Sequence, residues 1–116
     1  MKFALLIYGD EQAMAHATPE QNQAVSDAYE AFTRSIVDSG NFLDGDPFQP
    51  TSSATTVQVR DDATQATAGP AVTTQPQLIA YYRVKADSHD QAVQMASRIP
   101  GARYGSVEVR PILEFD

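Results

Sequence analysis

Two stretches of this chain alternate as β-strands do, yet each is apolar on both of its faces. From Lys2 to Tyr8, the side chains of Phe3, Leu5 and Ile7 fall on one side and those of Ala4, Leu6 and Tyr8 on the other. From Gln77 to Lys85, Leu78, Ala80, Tyr82 and Val84 face one way and Ile79, Tyr81 and Arg83 the other. Successive strand side chains point to opposite faces, so a sheet built on these strands needs cover on both. Neither stretch is long enough to span a membrane. The start of the chain carries one Lys and a short apolar run, which reads as a strand rather than a signal peptide. The expectation is a cytoplasmic protein with no membrane partner.

Helices can supply part of the cover. Thr18-Pro19-Glu20-Gln21 is a helix start, with a capping Thr, a Pro at the first helical position and a Gln that completes a capping box. Val25, Ala28, Tyr29, Phe32 and Ile36 then recur at helical spacing, and Gly40 is the stop. Ser88-His89-Asp90-Gln91 repeats the capping pattern before a second stripe of Ala92, Val93, Ala96 and Ile99, which Pro100-Gly101 ends. Phe42 to Phe48 reads as a short strand broken by Gly45 and Pro47. Ser106 to Phe115 reads as the last strand, with Val107, Val109, Leu113 and Phe115 on one face and Glu108, Arg110, Ile112 and Glu114 on the other.

The resulting order is that of an α+β fold on a ferredoxin-like split βαβ plan. Two helices cover one face of its four-stranded antiparallel sheet. The other face needs a partner, and a second copy of the chain is the simplest one, so the expectation is a homodimer packed through its sheet faces. Glu108 and Arg110 fall on that uncovered face and read as an interfacial ion-pair set.

The segment 49–76 stands apart. Its large aliphatic side chains are Val57, Val59 and Val72, amid Thr, Ser, Ala and Gln. It reads as an added β-hairpin or arm that leaves the core, with Gly69-Pro70 as its turn. At 116 residues, the chain as a whole reads as a single domain, 1–116.

Charge and composition narrow the function. The net charge is −7, and residues 1–76 hold three basic and ten acidic side chains. Such a surface repels phosphate backbones, so nucleic acid is not an expected partner. There is no Cys, which removes disulfides, thiolate metal sites and Cys nucleophiles. No metal-ligand spacing, Gly-rich phosphate loop or Gly-x-Ser-x-Gly elbow is present, so the expectation is a protein without metal or cofactor.

Candidate chemistry rests on few residues. His16 and His89 are the histidines; His89 belongs to a helix's first turn and reads as a surface residue. His16 lies in the Asp10–Thr18 loop, where a base of near-neutral pKa can act. Asp44 and Asp46 are two apart and share a strand face, so they can act as a carboxylate pair. Asp10, at the end of the first strand, is a third carboxylate; turn-forming Asp on a solvent edge is the favoured reading of all three. Arg103 can dock a carboxylate or phenolate, and Tyr8, Tyr81 and Tyr82 can line a pocket or fill a core.

The stretch Arg98-Ile99-Pro100-Gly101-Ala102-Arg103-Tyr104-Gly105-Ser106-Val107-Glu108-Val109-Arg110-Pro111 resembles the YCII-related (DGPF-domain) proteins. So do the start MKFALLIYGDE, the middle Gln49-Pro50 with Ala54-Thr55-Thr56-Val57, and Gln77-Leu78 leading into Tyr81-Tyr82. The resemblance implies a dimeric α+β barrel. It also implies a choice of roles, because some relatives remove chloride from aromatic-degradation intermediates with a His and Asp pair, and others are tied to alternative sigma factors. The Asp-Gly-Pro-Phe signature falls on Ala68-Gly69-Pro70-Ala71, which keeps the turn and loses the carboxylate and the ring.

The functional expectation is a small homodimer that binds a small organic molecule, such as an organic acid or phenol, between sheet and loops. Its site residues would be Asp10, Asp44, Tyr81 and Arg103. The enzymatic alternative is a cofactor-free lyase or isomerase with His16 or Asp46 as base. A third reading is a regulatory interaction module linked to transcription.

Overall fold

The computed structural model describes residues 1–115. Its regular elements are β1 (Lys2–Gly9), α1 (Glu11–Ala15), α2 (Pro19–Asp38), β2 (Phe42–Pro47), β3 (Thr55–Arg60), β4 (Ala63–Ala68), β5 (Gln77–Lys85), α3 (His89–Ser97) and β6 (Ser106–Pro111). Short 3₁₀ turns occupy Thr51–Ser53 and Pro100–Arg103. The fold is mixed α+β. One antiparallel sheet has the order β2-β5-β1-β6, and β3 pairs with β4 in a separate two-stranded sheet. Both sheets are open, so the barrel that the resemblance implies is not closed within this chain: β2 and β6 are free edges.

The core lies on one face of the larger sheet. Phe3, Leu5 and Ile7 of β1 and Tyr82 and Val84 of β5 pack with Phe32 and Ile36 of α2 and Ala92, Met95 and Ala96 of α3. The helix ends follow from their capping residues. Thr18 Oγ1 accepts the Gln21 N–H at 3.1 Å, and Gln21 Oε1 accepts the Thr18 N–H at 2.8 Å. At the other end of α2, Gly40 has φ +79°, and bonds Gly40 N–H to Val37 O and Asn41 N–H to Ile36 O close a Schellman motif.

Among the described residues, no helix packs on the opposite face. Register places Ala4, Leu6 and Tyr8 of β1 at its centre, Arg83 and Tyr81 with Asp44 and Asp46 to one side, and Arg110 and Glu108 to the other. Glu108 and Arg110 form an ion pair with each other there.

Several expectations change in detail. The Asp10–Thr18 loop contains helix α1, because Asp10 caps it by accepting the N–H groups of Gln12 and Ala13. The last strand stops at Pro111 instead of Phe115 because its partner β1 begins at Lys2: Ile112 N–H donates to Lys2 O at 2.9 Å, and Leu113 and Phe115 beyond it are exposed. A register shift between Ile7 and Tyr8 moves Ile79 against the core and leaves Leu78 exposed, the reverse of simple alternation. Val25 and Val93 are exposed, while Met95 takes the core position in α3. Ile99 is buried beyond the helix end.

The segment 49–76 does form a hairpin, but Gly69-Pro70 is not its turn. Asp61 and Asp62, with φ +51° and +62°, make the two-residue connection, since Asp tolerates the left-handed region better than most residues. Gly69, at φ +107°, instead closes the hairpin's base by donating to Ala54 O at 2.7 Å. The strands β3 and β4 are largely exposed, and the radius of gyration of 16.1 Å exceeds the value of about 13 Å expected for a compact chain this long.

Glu11 ties the arm's base to the sheet. Its carboxylate accepts Thr51 N–H at 2.8 Å, Thr51 Oγ1–H at 2.6 Å and Gln75 Nε2–H at 3.3 Å, while its own N–H donates to Gln75 Oε1 at 3.2 Å. The Thr51 side-chain bond is the main reason its pKa lies below the ordinary Glu value.

Candidate functional site

A cleft of about 440 Å³ opens where β2 and the middle of α2 meet the middle of β5. Its walls are Met14 from α1, Tyr29 and Thr33 from α2, Phe42 from β2, Phe48 just beyond it, and Ile79, Tyr81 and Tyr82 from β5. The helical wall arises because Tyr29 and Thr33 sit one turn apart at the edge of the buried stripe. The strand wall arises because Gly45 stands opposite Tyr82: a Cβ at Gly45 would lie 2.7 Å from the Tyr81 carbonyl oxygen and 2.8 Å from Tyr82 Cδ1.

The tyrosine hydroxyls of the inner wall are engaged by the protein. Tyr82 and Thr33 share a hydrogen bond of 2.7 Å, and the Gly101 N–H donates to Tyr29 Oη at 3.1 Å. Burial raises the pKa of both phenols. Both residues line the cleft, and Tyr82 packs edge-on with Phe32 and Phe42.

Charge lies across the β2 edge, on the helix-free face of β2 and β5. Tyr81 stacks with Phe48 at 5.7 Å between ring centroids, and its hydroxyl donates to Asp46 Oδ2 at 3.2 Å. That hydrogen bond is the main cause raising the Tyr81 pKa, with desolvation and the charge of Asp46 behind it. One pair of residues nearer the start of β2, Arg83 donates to both carboxylate oxygens of Asp44, Nε to Oδ1 at 2.8 Å and Nη2 to Oδ2 at 2.6 Å. The Arg83 hydrogen bonds pull the Asp44 pKa below its ordinary value.

The sequence candidates therefore divide. Asp46 and Tyr81 border the cleft and their side chains meet on the helix-free face, with Asp44 on that same face and held by Arg83. Asp10 is spent as a helix cap. His16 is exposed at the end of α1, its Nδ1 2.7 Å from Gln12 O, and is not among the residues that line the cleft. Arg103 lies elsewhere, in a shallow groove with Arg98, Tyr104, Phe32 and Val25 on the other flank of α2. Arg98 there stands over the Phe32 ring at 5.6 Å and donates to Ser35 Oγ at 3.2 Å. Sequence reading missed Tyr29, Glu30, Phe42 and Phe48 as lining residues. The i, i+4 spacing of Tyr29 and Thr33 is the one local signal that pointed there. Among the described residues, no three His, Asp or Glu side chains gather as metal ligands, and no helix is long and apolar enough to cross a membrane.

Comparison with known proteins agrees with the motif pattern. The family model described as YCII-related domain matches residues 1–116. The chain is also 30% identical over 114 residues to the uncharacterized protein R00369 of Rhizobium meliloti (strain 1021), covering 97% of this chain and 92% of that relative.

Proposed function

This chain belongs to the YCII-related family, and from that premise we propose that it is a cytoplasmic one-domain homodimer that binds a small organic molecule in the cleft between α2 and the β2–β5 edge. The observation that carries the binding reading is the cleft itself. It is concave, walled by Tyr29, Phe42, Tyr82, Ile79 and Met14, and edged by a small number of polar groups, as small-molecule sites are. The strand order β2-β5-β1-β6, with α2 and α3 on one face, supports the ferredoxin-like plan.

The uncovered face supports the dimer. Ala4, Leu6 and Tyr8 form its apolar centre, and the Asp44–Arg83 and Glu108–Arg110 pairs form its flanks. An apolar centre with a charged rim is the usual anatomy of a protein interface. For the enzymatic alternative, the lining favours Asp46 over His16 as base, since Asp46 borders the cleft and His16 is not among its lining residues.

Two measurements test this. Sedimentation equilibrium gives a dimer for the wild type and a monomer for Leu6→Arg; a wild-type monomer at micromolar concentration contradicts the dimer. Isothermal titration with small aromatic molecules gives saturable binding that Tyr29→Ala weakens; binding unaffected by Tyr29→Ala contradicts the cleft.

A further inference from the structure

The flank of α2 away from the cleft carries exposed apolar surface. Val25 and Ala28 belong to the stripe that the sequence assigned to the core, yet both are exposed, as is Ala31. These residues line one wall of the shallow groove there, and Arg98, Arg103 and Tyr104 line the other. The two walls differ in chemistry. Arg98 and Arg103 are the charged residues of the lining, and no carboxylate joins them, in a chain of net charge −7. Arg98 is held over the Phe32 ring and bonded to Ser35 Oγ. Arg103 is in no ion pair among the described residues.

The segment that follows β6 has the complementary pattern. Leu113 is 80% exposed and Phe115 90%, with Glu114 between them. A single exposed apolar side chain is ordinary, but in extended backbone these two point to one side and Glu114 to the other. Laid along the groove, such a segment turns Leu113 and Phe115 to the apolar wall and Glu114 to the basic one.

The chain's own segment falls short of its own groove. Tyr104 lies just before β6, whereas Leu113 leaves from the strand's far end, where Ile112 N–H donates to Lys2 O at 2.9 Å. The six residues of β6 separate those ends by about 17 Å, while residues 113–115 span about 10 Å at full extension.

We propose that the Leu113–Phe115 segment of a second copy docks in this groove. Leu113 and Phe115 lie on Val25, Ala28 and Ala31, and Glu114 pairs with Arg103, whose planar fork suits a carboxylate. Opposite charge fixes the register of the segment, and the two apolar side chains supply the burial. The groove belongs to the helix layer, so this contact is distinct from the sheet-face contact and does not depend on the cleft.

Nuclear Overhauser effects in a mixed sample test it. Full chain labelled with ¹³C at the alanine methyls is combined with unlabelled full chain. Cross-peaks are expected between the Phe115 ring of the unlabelled copy and the Ala28 and Ala31 methyls of the labelled one. Arg103→Glu should abolish them, and adding Glu114→Arg to that variant, which swaps the charges, should restore them. Both positions are exposed, so neither change disturbs the core. The absence of cross-peaks between copies, cross-peaks confined to one chain, or cross-peaks that persist in Arg103→Glu would each overturn the proposal. So would contact of Phe115 with Leu6, which would place the segment on the helix-free face.

Discussion

Arg83 grips Asp44 with two parallel hydrogen bonds, Nε to Oδ1 at 2.8 Å and Nη2 to Oδ2 at 2.6 Å, across the β2–β5 ladder. The pair fixes the outer face of β2 and takes up the cation that would otherwise be free to neutralise Asp46. Both partners are nearly half exposed, so the bond is screened. Asp44→Asn should lower the melting temperature only slightly, and 1 M NaCl should erase most of that difference. A large loss that persists in high salt would mean that the pair is covered, as it would be inside an interface.

The hydrogen bond to Asp46 raises the Tyr81 pKa above its ordinary value. Removing the Asp46 charge leaves a weaker acceptor, so Asp46→Asn should move the Tyr81 pKa down toward the ordinary tyrosine value of about 10. The ring resonances of Tyr81, followed by NMR from pH 8 to 12, report this directly. No change would place the cause of the shift in burial.

Glu11 links acidity to the arm. Its folded pKa is depressed by Thr51 and Gln75, so the stability it contributes is present above the unfolded Glu value, about 4.3, and is lost as the pH falls through the lower folded value. The wild type should therefore exceed Glu11→Gln in stability at pH 7. The gap should begin to close only below about pH 4.3. At neutral pH the variant should also show faster amide exchange at β3 and β4. Parallel stability curves across pH 2.5 to 7 would contradict the role given to Glu11.

Gly45 is where the backbone of β2 comes closest to β5. A Cβ there meets backbone and ring atoms at 2.7 and 2.8 Å, so Gly45→Ala must displace the edge strand or Tyr82. A cost of about 1–3 kcal/mol is expected in urea unfolding, with weaker binding of any cleft ligand. Unchanged stability would show that β2 yields freely.

Much of this molecule was legible in its sequence, and the failures have identifiable causes. Thr18-Pro19-Glu20-Gln21 and Gly40 announced both ends of α2, because caps are local chemistry. The apolar alternation of Phe3, Leu5 and Ile7 announced the core. The bulge at Ile79 was not legible, because a one-residue slip arises from pairing with β1 and leaves no mark in β5 itself. The turn at Asp61-Asp62 lost to Gly69-Pro70 because Gly-Pro is the stronger local signal, though register places it at the hairpin's base. Asp44 and Asp46 were correctly placed on one strand face, but their different partners, Arg83 and Tyr81, come from a strand more than thirty residues away. His16 and Arg103 looked like site residues by type alone, and tertiary placement put them apart from the cleft.

The central claim is that the cleft beside Asp46 binds a small organic molecule, and the methionine methyls test it most directly. Met14 lines the cleft, Met95 is buried in the core and Met1 is exposed just before β1. In a sample labelled with ¹³C at the methionine methyls, a small aromatic probe such as 2-phenylethanol should shift the Met14 resonance saturably and leave Met1 and Met95 in place. A Met14 signal that no small aromatic molecule moves, while the fold remains intact by the Met95 signal, would contradict the account.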